Sequence, residues 1–110
     1  MKKFSPIVLL IVFLIFIDST IVFGQTDLRI LNINIRLSGQ MTGYSVLPFA
    51  DYIKKYDPDF VTLQEVDFMT TRNGQRDFTT ELAAELGYFS AFGYALKYAQ
   101  GEYGVAILSK

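Results

Sequence analysis

From Leu28 to Arg36 the chain reads LRILNINIR, rich in aliphatic residues and alternating in its second half, a pattern that predicts a β-strand. Counted by twos, Leu31, Ile33 and Ile35 share one face, while Leu28, Ile30, Asn32, Asn34 and Arg36 share the other. The second face begins apolar and ends polar. The strand is therefore expected to be covered on both sides along most of its length and to open onto something polar near Asn34. Residues 37–45, LSGQMTGYS, read as a loop. Pro48 then suits the first turn of a helix that carries Phe49, Ile53 and Tyr56 as an apolar stripe beside Ala50 and Tyr52. Asp57-Pro58-Asp59 ends this helix, because a residue before proline is pushed out of the helical region.

A second strand, Phe60 to Val66, follows directly, and the loop FMTTRNGQR leads from it to Asp77, a helix N-cap by residue type. Phe78, Leu82 and Leu86 recur every four residues along the next helix, and Gly87 is suited to stop it. Tyr88–Phe92 and Val105–Ser109 read as two further strands, joined by the tyrosine-rich segment GYALKYAQGEYG. Strand, helix, strand, helix, strand, strand is the order of a layered α/β fold. About 85 residues in such a fold leave one sheet face or edge uncovered, so the chain is expected to be the front part of a larger domain.

The N-terminus departs from this pattern. Lys2 and Lys3 precede an unbroken apolar run from Ile7 to Ile17, and small or apolar residues lead on to Gly24. This is the layout of a secretory signal peptide spanning residues 1–24, with Gln25 as the mature N-terminus and a secreted or periplasmic destination. The alternative is a membrane anchor, for which eleven strongly apolar residues are short against a span of about 20. After cleavage no stable membrane span is expected. The mature part, residues 25–110, keeps eight basic and ten acidic residues, a net charge of −2, which gives no basic footprint for tight nucleic-acid binding. With no cysteine and no histidine, the chain offers no thiolate nucleophile and no zinc or copper ligand set.

Candidate chemistry gathers at the ends of the first two strands. Glu65 shares a face with Val61 and Leu63 and so stands at the end of a core row, as Asn34 does on the first strand. If the two strands are parallel neighbours, both polar groups emerge at the same edge, where open α/β sheets bind ligands. A carboxylate and an amide oxygen are hard ligands suited to Mg²⁺, with Mn²⁺ or Ca²⁺ as alternatives. The structural alternative pairs Glu65 with Arg36 or Arg72, or leaves it in water at the strand end.

The segments LNINIR, DPDFVTLQEVD, LAAELGY and GEYGVAILSK, in that order, together resemble the start of the endonuclease/exonuclease/phosphatase superfamily, the DNase I-like fold. The resemblance covers residues 28–110. It implies the N-terminal portion of a four-layer α/β sandwich and metal-dependent hydrolysis of a phosphodiester or phosphomonoester. Carried over by position, it makes Glu65 a divalent-metal ligand, Asn34 a holder of the metal or the scissile phosphate, and Arg72 a substrate contact, with a solvated loop charge or a partner for Asp67 as the alternatives for Arg72. The substrate would be a small phosphoester, a lipid head group or nucleic acid. Asn32 stands where many relatives have threonine or serine. The family's general-base histidine belongs to later segments, so these 110 residues are expected to be inactive alone; the alternative is a non-catalytic remnant or binding module of the same fold.

Overall fold

The computed structural model describes residues 27–110 together with Lys3, Ser5 and Pro6. The signal-peptide reading of residues 1–24 falls almost wholly outside them. Among the described residues no helix is long and apolar enough to cross a membrane.

Four strands form one mixed sheet. β1 (Ile30–Asn34) pairs in parallel with β2 (Phe60–Phe68), as the intervening crossover requires. β2 pairs antiparallel with β4 (Gly101–Ser109), and β4 antiparallel with β3 (Phe89–Tyr98), in the order β1-β2-β4-β3. A short turn α1 (Arg36–Gly39) and helix α2 (Leu47–Tyr56) link β1 to β2, and helix α3 (Phe78–Leu86) links β2 to β3.

The periodicity places both main helices correctly. In α3 the Asp77 carboxylate accepts the Thr80 amide as N-cap, Phe78 and Leu82 are buried, and Gly87 ends the helix in the left-handed region. In α2 the buried residues are Ala50 and Ile53, with Phe49 packed edge-on against Phe78 at 5.7 Å. Tyr56 does not belong to that stripe; it lies exposed against Tyr52. The helices cover one face of the sheet, burying Val61, Leu63 and Val66 of β2 and Ala106 and Leu108 of β4. Each such valine or leucine side chain contributes about 1.5–3 kcal/mol by leaving water.

The opposite face corrects the first expectation. β1 is covered on one side only: Ile30 is 66% exposed and Leu28 is exposed as well. Val105 and Ile107 of β4 and Phe89 of β3 lie open beside them, Phe89 at 77%. One sheet face is thus uncovered by the described residues.

The tyrosine-rich segment is a second correction. It continues both strands, and a two-residue turn at Ala99 and Gln100 joins them into one long hairpin. Both turn residues have positive φ, 46° and 63°, as a type I′ turn demands.

Candidate active site

Parallel pairing of β1 and β2 sets Asn34 opposite Gln64, so Asn34 and Glu65 emerge together at the carboxyl edge. The local backbone does more than end the strands. Between Gln64 and Val66 the register with β4 slips, and Glu65 is the bulged residue, with φ 60°. Simple alternation would continue the core row Val61, Leu63 into Glu65. The bulge instead returns Val66 to the buried face and turns Glu65 out of the ladder.

Beyond Asn34 the chain makes a left-handed turn, with φ 48°, 54°, 54° and 71° from Arg36 to Gly39. Only glycine adopts this region without cost, and each other residue there loses roughly 1–2 kcal/mol. Hydrogen bonds hold the turn in place. Arg36 N donates to Asn34 Oδ1 at 2.9 Å, Leu37 N donates to Glu65 Oε2 at 3.2 Å, and Gly39 N donates to Ile35 O at 2.8 Å. Buried Ser38 accepts the Asp67 amide on its Oγ at 2.6 Å, fastening the turn to β2 just past the bulge.

Asn34 Nδ2 donates to Glu65 Oε1 at 2.9 Å. The Arg36 amide fixes this orientation, since rotating the amide by half a turn would face two donors towards each other. Asn34 therefore offers the carboxylate a donor, with its own oxygen committed to the backbone. Glu65 receives one neutral N–H on each oxygen and, among the described residues, joins no ion pair.

Of the two arginines offered as alternative partners, Arg36 forms no ion pair among the described residues and Arg72 is engaged elsewhere. Arg72 holds buried Asp67 by two bonds of 2.7 Å, Nε to Oδ2 and Nη2 to Oδ1, and lies 4.4 Å from the Tyr98 ring centre and 5.5 Å from that of Tyr103. The bond to Asp67 pushes the Arg72 pKa up further, so the guanidinium stays charged. Burial, and after it the charge of Glu65, raises the Tyr103 phenol, with Arg72 opposing. The β2–α3 loop that supplies Arg72 is tied to the hairpin tip by Thr71 N to Ala99 O at 2.8 Å. A hollow of about 260 Å³ is lined by Leu37, Arg72, Leu96, Tyr98 and Tyr103; Glu65 does not line it but is joined to its wall through the Leu37 amide, and its charge reaches Tyr103. Larger hollows of about 490 and 420 Å³ lie at the hairpin tip and on the open sheet face, and Asn34 lines a smaller one of about 120 Å³ with Arg36 and Phe49.

The family model described as the endonuclease/exonuclease/phosphatase family matches residues 31–110. The chain belongs to that family. No curated protein matches it. Membership makes this a hydrolase by family, and the mixed four-stranded sheet with its helices is consistent with part of a DNase I-like α/β fold.

Of the three residues singled out from the sequence, the structure brings Asn34 and Glu65 into contact and stations Arg72 across the hollow, bound to Asp67. The sequence reading offered Asp67 as an alternative partner for Arg72, the pairing the structure contains, and it missed Ser38, Tyr98 and Tyr103. A further signal for Asp67 lies in its parity: it falls among apolar positions of the strand, and a carboxylate there requires a cation.

Among the described residues no three acidic, histidine or cysteine side chains cluster, so a cation here would rest on one carboxylate and keep most of its water, as Mg²⁺ commonly does. Each Glu65 oxygen retains a lone pair beyond its hydrogen bond.

Proposed function

We propose that the chain is the N-terminal part of an exported, Mg²⁺-dependent phosphoesterase, with Glu65 as the metal-binding carboxylate. One observation carries the reading: Glu65 sits in a costly backbone conformation, is aimed by neutral donors, and has no cationic partner among the described residues. Carboxylates placed for stability alone are normally paired or solvated without such strain. Asn34 and the Leu37 amide orient the carboxylate, and Arg72 flanks the substrate across the hollow. When bound, the cation offsets phosphate charge and stabilises the oxygens of an in-line displacement. Export is read from the Lys2-Lys3 start and the apolar run to Ile17; it requires a secreted product whose mass begins at Gln25.

Calorimetric titration of the full chain with Mg²⁺ tests the site. Glu65→Gln is expected to weaken binding at least tenfold and Asn34→Ala less, with the cooperative unfolding of both variants retained. Unchanged Mg²⁺ affinity in Glu65→Gln would sink the proposal. A second reading, binding of metal and phosphoester without turnover, is favoured by the lack of any histidine to act as general base in the 110 residues. Hydrolysis of a phosphodiester by this chain, abolished by Glu65→Gln, would rule that second reading out.

A further inference from the structure

The hollow beside Glu65 has a composition that points to a kind of substrate. Its walls are Leu37 on the left-handed turn, Arg72 on the β2–α3 loop, Leu96 and Tyr98 on β3, and Tyr103 on β4. The only cation among them is already neutralised by Asp67 through two bonds, so a second anionic group entering the hollow would meet the negative charge of Glu65 without a free positive partner. What remains on offer is flat, polarisable surface. The guanidinium lies over two phenol rings, 4.4 Å from the centre of Tyr98 and 5.5 Å from that of Tyr103, and those rings are tilted at 53° with centres 6.3 Å apart. Leu96 and Tyr98 stay about half exposed, leaving contact area for a ligand. The Asp67 ion pair and the Thr71 to Ala99 bond hold these walls at fixed spacing, so little ordering cost remains for binding.

Building on the phosphoesterase reading, we propose that this hollow receives an uncharged planar ring attached to the scissile phosphate, and thus selects ring-bearing phosphoesters over aliphatic or doubly phosphorylated ones. Rings stack on tyrosine and arginine faces, and the hollow has room for a single ring system. Its short reach and its phenol and guanidinium rim suit a ring better than an acyl chain.

The test is NMR of the full chain, following the Arg72 Nε–H and the Tyr98 and Tyr103 ring signals. Three probes are titrated without metal and then with Mg²⁺: phenyl phosphate, glycerol phosphate and phenol. Phenyl phosphate and phenol are expected to shift these signals saturably, glycerol phosphate at least fivefold more weakly than phenyl phosphate, and Leu96→Ala to weaken phenol binding fivefold or more. Equal responses to phenyl and glycerol phosphate, or none to phenol, would overturn the proposal. Because phenol needs no metal, its binding is read independently of Mg²⁺ at Glu65; failure of the metal site leaves the phenol arm intact, and failure of the hollow leaves the calorimetric Mg²⁺ result intact.

Discussion

Asp67 has no exposed surface, and the cost of burying its carboxylate is met by Arg72 through two bonds, while Ser38 accepts its backbone amide. Removing one partner of a buried pair leaves the other uncompensated. Arg72→Ala is therefore expected to destabilise the fold by about 3 kcal/mol, towards the lower end for such pairs because part of the guanidinium faces solvent. Urea unfolding of Arg72→Ala, Asp67→Asn and the double variant checks this: the double variant should recover much of the loss. Additive losses would mean that the pair does not act as a unit. The same argument explains why Arg72 was hard to interpret from sequence. A loop arginine five residues after a strand aspartate serves equally as solvated charge, partner or substrate contact, and only the burial of Asp67 shows that its charge is engaged. Glu65 was easier to find, since a carboxylate ending an apolar row stands out, but its environment was not legible: a bulge depends on pairing with β4, forty residues away.

At the scale of elements, the helices were readable because their signals are local. Asp77, the four-residue spacing of Phe78, Leu82 and Leu86, and Gly87 all lie within one short stretch. The β3–β4 hairpin was not, because type I′ turns are normally marked by asparagine or glycine and this one uses Ala99 and Gln100. The same mismatch makes a prediction. Both residues hold a left-handed backbone at a cost, so Ala99→Asn with Gln100→Gly should stabilise the protein by about 1 kcal/mol. Thermal unfolding would show a raised midpoint, and an unchanged or lowered one would contradict the turn assignment. The replacement keeps the Ala99 carbonyl that anchors the β2–α3 loop, so the Arg72 NMR signals should stay in place.

Across the whole molecule, the two faces of the sheet differ in what covers them. The helices fill one side with Val61, Leu63, Val66, Ala106 and Leu108, while Ile30, Val105, Ile107 and Phe89 stay open on the other. Alternation in β1 already separated Leu31, Ile33 and Ile35 from Ile30 and its neighbours. What alternation could not supply was which set would be covered, because that depends on where the crossover helices pack. A contiguous apolar face of this kind binds hydrophobic dyes in the native state. The chain is expected to enhance the fluorescence of 1-anilinonaphthalene-8-sulfonate without denaturant, and Ile107→Lys with Phe89→Ser should remove most of that signal. Cooperative unfolding should survive in this double variant, because neither side chain belongs to the buried cluster. Dye binding that persists in the double variant would place the apolar surface elsewhere. Dye binding lost together with cooperative unfolding would mean that the open face contributes to the core after all. Along β1 and β2 this face changes character towards the carboxyl edge: Asn32 accepts bonds from Thr62 and Gln64, and Asn34 and Glu65 lie just beyond. The polar band separates the apolar patch from the site, so substitutions at Ile107 and Phe89 should leave Mg²⁺ affinity within twofold of the parent chain.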